Sequence, residues 1–398
     1  MAPFPRPCAW GPLSAGRLRL GRTERLPPQL QPFESNGPKA QGLGNNAERQ
    51  SHALPKIPKL PSVPALLSVL DLSPIRVGET PAKAIRETVE LARAADRLGY
   101  HRFWVAEHHS SRSFASASPE ILLAALSQVT TRIRLGSGGV MLVNYSPLKV
   151  VEQFMALEAL APGRIDLGVG RALGGDTRTG GALRSAGSEA FPTWFALLNA
   201  WLLDAAGREA FPTSHPAHGV RAQPGGPSHP DIFILCSSTA SAQFAGMAGV
   251  GMVFAEFIAR RDATGAIAAY REAFQPSIFR AAPWAGVGVG ALAADTAEEA
   301  TRLDAPRRAW GHAFAEGGAG PFLSIDAALA DLKARGAGTP GGEESRFAFV
   351  GDGPTVRAAL QAKAEAVGAD ELFLITFAPT LGARVRSLEL TRPTLTPM

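Results

Sequence analysis

From Leu66 onward, short apolar runs alternate with longer segments whose apolar residues recur at helical spacing. That is the pattern of repeated strand and helix units around a parallel sheet. Leu66 to Leu72 reads as the first strand. Pro81 to Leu98 follows as a helix, with Ile85, Val89, Ala92 and Leu98 near one face and Gly99 as its stop. Arg102 to Glu107 reads as a strand, Pro119 to Thr131 as a helix with proline in its first turn, Ile133 to Gly139 as a strand and Pro147 to Leu160 as a helix. Arg164 to Gly170 is the fourth strand. After a long irregular stretch, Asp231 to Cys236 and Gly251 to Phe254 flank a short Ala-rich helix, and Val287 to Ala293 and Glu371 to Thr376 bring the strands to eight. A doubly wound open sheet reads the same up to the fourth strand. Eight strands favour closure, so the expected fold is α/β, a (β/α)8 TIM barrel with insertions.

Two insertions interrupt the alternation. Gly174 to Pro230 contains an apolar helix near Phe191 to Leu203, and Thr301 to Ser345 mixes helix with Gly-rich loop; both are candidate lids or rims. Residues 1–62 are rich in Pro, Arg, Gly and Gln and follow neither period, which predicts a disordered N-terminal leader ahead of a barrel domain spanning 63–398. A transit peptide or coding sequence upstream of the true start are the other readings of that leader.

The chain has 398 residues, 45% hydrophobic and 19% charged, which suits a soluble enzyme able to bury a sizeable core. Its net charge of +5 is unevenly placed. Residues 1–62 carry nine Lys and Arg against three Asp and Glu; of the chain's 40 basic and 35 acidic residues, 31 and 32 are left for the rest. A near-neutral body gives no general reason to bind nucleic acid. Cys8 and Cys236 are too few for a disulfide framework, and no run of about 18 apolar residues suggests a membrane span. A cytoplasmic protein is expected.

Chemistry in a barrel gathers at the C-terminal ends of the strands. There the sequence places Glu107-His108-His109, Gly136-Ser137-Gly138-Gly139, Gly168-Val169-Gly170-Arg171 and Cys236-Ser237-Ser238. Adjacent histidines on a strand point to opposite faces and cannot easily share a metal ion. His108 suits proton handling, with Glu107 beside it; which of His108 and His109 faces inward is not set by alternation, because a bulge reverses it. Gly138-Gly139 leaves bare backbone for a flat ring to press on, or marks a tight turn. Arg171, ahead of Leu173-Gly174-Gly175, suits a phosphate grip or a surface salt bridge. Ser238 and Ser241 open an Ala-rich helix and suit either an anion or simple capping.

These residues, with the stretches LSVLDLSPI, WVAEHHS, IRLGSGGVMLVNYSPLKVVEQF, PGRIDLGVGRALGGD, CSSTASAQFA, FVGDGPTVRAAL and ADELFLIT in that order, resemble the bacterial luciferase-like flavin monooxygenase family, in its single-chain branch, from about Leu67 to Leu390. The resemblance implies a barrel that binds reduced FMN, reacts it with O2 to a flavin C4a-hydroperoxide and oxygenates a small organic substrate. It implies His108 as the catalytic histidine with Glu107 in the pocket and Gly138-Gly139 as a non-proline cis peptide under the flavin ring. Arg171, Ser238 and Ser241 then hold the phosphate, and Leu173 adds backbone contacts. Gly170 stands where bacterial luciferase has a reactive cysteine, so light emission is not expected. Ala378-Pro379 departs from the polar residues usual near the last strand's end. No second nucleotide-binding motif is legible for a nicotinamide cofactor, so a separate flavin reductase is the expected source of reduced FMN, and a homodimer is compatible with the resemblance. Two rival functions share these residues: deazaflavin-dependent hydride transfer, and flavin binding without turnover.

Overall fold

A computed structural model describes residues 65–337 and 348–393. The expected disordered leader and the end of the second insertion lie outside the described residues. The strands are β1 Leu66–Asp71, β2 Arg102–Val105, β3 Arg134–Ser137, β4 Val140–Met141, β5 Ile165–Gly170, β6 Asp231–Cys236, β7 Gly251–Ala255, β8 Ala285–Ala294, β9 Ala348–Asp352 and β10 Glu371–Ile375. β1, β2, β3, β5, β6, β7, β8 and β10 pair in that order, all parallel, and β10 pairs with both β8 and β1. The eight expected strands therefore close into a TIM barrel.

Local chemistry accounts for the elements around it. The helix Pro81–Leu98 starts where Thr80 Oγ1 accepts from the Lys83 amide at 3.3 Å, and stops at Gly99, whose φ of 81° is open to glycine at little cost. Its inward face buries Ala84, Leu91, Ala92 and Ala95 against the barrel. Helix Phe191–Ala205 inside the first insertion presents Phe195, Leu198 and Leu202 to the same core. Burial of such side chains contributes about 1.5–3 kcal/mol each, enough to hold the insertion on the barrel.

Two expected boundaries are corrected and one strand is added. β2 stops at Val105, so Glu107 lies beyond the ladder. β3 stops at Ser137; the chain breaks at a cis Gly138–Gly139 peptide and resumes as β4, paired with β5. β9 has no counterpart among the expected strands. It pairs with the second half of β8, from Gly290 to Ala294, while the first half pairs with β10. Its residues Ala348, Phe349 and Val350 are only half buried, so it lacks the continuous apolar run by which a core strand is recognised.

At the N-terminal ends of the strands the barrel is plugged by ions. Arg102 Nε reaches both carboxylate oxygens of Glu371, at 3.2 and 3.0 Å, and Arg102 Nη1 lies 2.7 Å from Asp166, which also accepts from Trp104 Nε1 at 2.9 Å. Asp166 and Glu371 are wholly buried. Removing one partner leaves an uncompensated buried charge, at about 3–5 kcal/mol. With that end closed, the opposite mouth is left for chemistry.

Candidate active site

β2 delivers Glu107, His108 and His109 to the mouth on a loop held by its own backbone. Ser116 Oγ donates to the Ala106 carbonyl at 2.6 Å, the His108 amide donates to Ser116 O at 2.8 Å, and Ser110 turns the chain with φ 53°. This loop separates the two histidines. His109 Nε2 lies 2.7 Å from Glu107 Oε1, which also accepts from the Tyr145 hydroxyl at 2.9 Å; Glu107 Oε2 accepts from the Met141 amide at 3.1 Å. Burial pushes the Glu107 carboxyl above its usual range, against the three donors that favour its charged form.

His108 turns the other way. Its ring lies 4.7 Å from Phe114, in an aromatic wall completed by Trp310, Phe322 and Phe377. Nδ1 of His108 is buried without a hydrogen-bond partner among the described residues. Burial pulls the imidazole down to about 4, and neighbouring His109 adds to the effect, so His108 is neutral near pH 7. The wall is assembled by backbone hydrogen bonds: Ile75 N donates to Ser113 O at 2.8 Å, and Phe322 N to Ile75 O at 2.8 Å. Trp310 Nε1 donates to Ser113 Oγ at 2.9 Å.

The cis Gly138–Gly139 unit forms a floor without side chains. A Cβ on Gly138 would meet Leu70 Cδ1 at 2.6 Å, and one on Gly139 would meet Leu235 Cδ2 at 2.7 Å and Gly168 O at 2.8 Å. Glycine is required here by close approach. At Gly170 a Cβ would have Met141 Sδ at 3.3 Å, so a larger side chain there needs the methionine to give.

The ends of β5 and β6 carry Arg171 and the two serines. Arg171 is exposed just beyond β5, and its side chain makes no hydrogen bond or ion pair with the described residues. Just past neighbouring β6, Ser238 caps helix Thr239–Met247: its Oγ accepts from Ser241 N at 3.2 Å, and Ser241 Oγ lies 3.2 Å from Ser238 N. The capping alternative for these serines is thus realised. The Thr239 and Ala240 amides have no partner among the described residues, so backbone donors face outward at the positive end of the helix. Leu173 gives its carbonyl to Asn144 Nδ2 at 3.0 Å and keeps its amide free among the described residues.

These features suit a phosphorylated flat cofactor: a bare floor, an unpartnered guanidinium, free helix-end amides, and buried orphan polar atoms at His108 Nδ1, Asn144 Oδ1 and Thr376 Oγ1. The model of the family described as luciferase-like monooxygenase matches residues 67–371. The chain belongs to the luciferase-like monooxygenase family. This flavin-dependent monooxygenase is 41% identical over 239 residues to the luciferase-like monooxygenase of Escherichia coli strain K12, covering 59% of this chain and 69% of that one. It is 47% identical over 192 residues to the N-acetyl-S-alkylcysteine monooxygenase of Bacillus subtilis strain 168, covering 48% and 57%. The crystal structure of apo-MsnO8 superposes on the monooxygenase with a TM-score of 0.74 at 35% identity, over 82% of this chain and 97% of that one.

Sequence reasoning missed Tyr145, Asn144 and the whole aromatic wall. Asn144 and Tyr145 lie within a quoted stretch, LGSGGVMLVNYSPLKV, and the only available signal was a polar pair interrupting an apolar run. Phe114, Trp310 and Phe322 meet from segments about two hundred residues apart, and Phe377 stands beside the departure at Ala378-Pro379.

Proposed function

We propose that this monooxygenase uses reduced FMN and O2 to oxygenate a small organic substrate. The observation that carries the reading is that Arg171, without a partner among the described residues, and the free amides of the next strand's helix follow the adjacent strands β5 and β6, with the bare Gly138–Gly139 floor packed on β5. Arg171 and the amides of Thr239 and Ala240 hold the phosphate, with Ser238 and Ser241 setting the helix end; Leu173 offers its amide, and Gly138 and Gly139 carry the ring. Bound reduced FMN supplies the electrons for oxygen activation.

The chain's residues do the rest. Neutral His108, its ring against the aromatic wall, accepts or donates a single proton at the buried Nδ1. Phe114, Trp310, Phe322 and Phe377 keep water from the reacting centre. Glu107 holds the floor through Met141. Reduced FMN comes from a separate reductase. The enzyme is placed in the cytoplasm as part of this proposal; no helix among the described residues is long and apolar enough to cross a membrane.

The purified protein, titrated separately with FMN and with a deazaflavin, should bind FMN. With a flavin reductase and labelled O2, one oxygen atom should enter the product of a screened metabolite in the dark. Tight deazaflavin binding without FMN binding would replace oxygenation by hydride transfer, and FMN binding without any oxygen-dependent turnover would indicate a carrier or sensor.

A further inference from the structure

The residues just past the floor, 141–145, are a junction. On one side the Met141 amide and the Tyr145 hydroxyl both donate to Glu107, at 3.1 and 2.9 Å, and Tyr145 Oη lies 3.2 Å from His109 Nε2. On the other side Asn144 Nδ2 donates to Leu173 O at 3.0 Å, and the His109 amide donates to Gly174 O at 2.7 Å. Val143 O accepts from the Ala186 amide at 2.9 Å and from Ser185 Oγ at 3.2 Å. The segment that follows Gly138–Gly139 and the segment that follows Arg171 are therefore stitched together through one buried carboxylate, one imidazole and one amide. Space confirms the tightness: a Cβ on Gly174 would meet Met141 Cγ at 3.0 Å and His109 Cδ2 at 3.3 Å.

We infer that Tyr145 is a positioning residue that latches the ring-bearing floor to the phosphate-gripping arm, so that both halves of the cofactor site are set in register before the ligand arrives. The inference rests on the FMN reading above and goes beyond it in giving His109 a partner role and in assigning Tyr145 and Asn144, neither of which the strand-end pattern had singled out. Glu107 is 1% exposed and has three donors. Losing the tyrosine hydroxyl leaves Oε1 with His109 alone, which loosens the carboxylate that also fixes the Met141 amide. Asn144 reports the same design. It is 8% exposed, its Nδ2 is spent on Leu173, and its Oδ1 has no partner among the described residues, leaving one buried acceptor at the junction itself.

A latch has a signature that a general structural role lacks. A ligand that uses only the floor should be nearly indifferent to it, whereas a ligand that bridges floor and arm should lose affinity. Riboflavin and FMN differ by the phosphate and serve as the two probes. In the full-length protein, Tyr145→Phe should weaken FMN roughly tenfold or more, about the size of one hydrogen bond to a charged group. Riboflavin affinity should change much less, so that the preference for FMN shrinks. Combining Tyr145→Phe with Arg171→Ala should cost less than the two changes separately, because the arm can no longer profit from being latched. Asn144→Ser, measured in parallel, should shrink the FMN preference in the same direction. Equal weakening of both ligands, strict additivity with Arg171→Ala, or unchanged FMN affinity with a lowered melting temperature would each overturn the latch. Failure of the wild-type protein to bind FMN at all would instead strike at the proposed cofactor.

Discussion

Replacing Gly139 by alanine tests whether the floor is built by close approach. The added methyl would sit 2.8 Å from the Gly168 carbonyl oxygen, 3.0 Å from its carbon and 2.7 Å from Leu235 Cδ2. Gly168 cannot easily retreat. Its carbonyl accepts from Ser137 Oγ at 2.8 Å, and the residue pairs with Phe233 in the β5–β6 ladder. At Gly138, by contrast, the new methyl meets chiefly Leu70 Cδ1, the end of a side chain, at 2.6 Å. Overpacking costs about 1–3 kcal/mol, and a backbone obstacle belongs at the upper end of that range while a movable side chain belongs at the lower. Gly139→Ala is therefore expected to lose about 2–3 kcal/mol and Gly138→Ala about 1 kcal/mol. Urea unfolding gives the stabilities, and fluorescence titration with FMN reads the floor directly. A displacement of Gly139 should weaken FMN by about tenfold, corresponding to 1.4 kcal/mol. If Gly139→Ala matches Gly138→Ala in stability and both keep wild-type FMN affinity, the floor is not held by β5 and the reasoning is wrong.

Arg171→Ala should weaken FMN by about 1.5–3 kcal/mol, the usual contribution of a hydrogen bond to a charged group, and leave riboflavin almost unchanged; equal effects on both ligands would remove the phosphate assignment. His108→Ala should keep FMN binding and impair product oxygenation, measured by labelled oxygen in the product; parallel loss of both would make the histidine structural. Acid stability should carry the histidine's mark. Burial, with His109 close by, holds folded His108 at about 4, and burial with Arg102 close by does the same for His101. Below about 6.5 the unfolded chain takes up protons that the folded chain refuses, so this stability is complete above pH 6.5 and is lost as pH falls toward 4. The raised Glu107 carboxyl acts with the opposite sign, favouring the fold on the acid side. Urea midpoints taken between pH 7.5 and 5 should fall with a slope that His108→Ala flattens; an unchanged slope would mean that His108 titrates normally.

The barrel was readable before any coordinates because its signals are local. Eight apolar runs spaced by amphipathic helices express burial on both faces of a parallel sheet, and the residues at the run ends follow from the direction of the chain. Glu107, Gly138, Gly139, Arg171 and Ser238 were singled out as candidates in this way. β9 escaped because a strand that is half exposed carries no such run. The end of β3 escaped because the glycine pair carries no side chain to mark where the ladder stops, and the cis peptide at Gly138–Gly139 has no signal in the apolar pattern.

The choice between His108 and His109 belonged to the tertiary structure. Alternation fails beyond Val105, where the loop's own hydrogen bonds and the left-handed Ser110 set each side-chain direction. The partners they find come from elsewhere: Tyr145 for Glu107 and His109, and Phe114, backed by Trp310, for His108. Whether Ser238 and Ser241 cap a helix or hold an anion was equally beyond the sequence, since both uses demand the same residues at the same spacing. Periodicity along the chain determines which faces are buried and hence the barrel; only the closed fold decides which distant side chains meet at its mouth, because those contacts depend on loop geometry that no local pattern encodes.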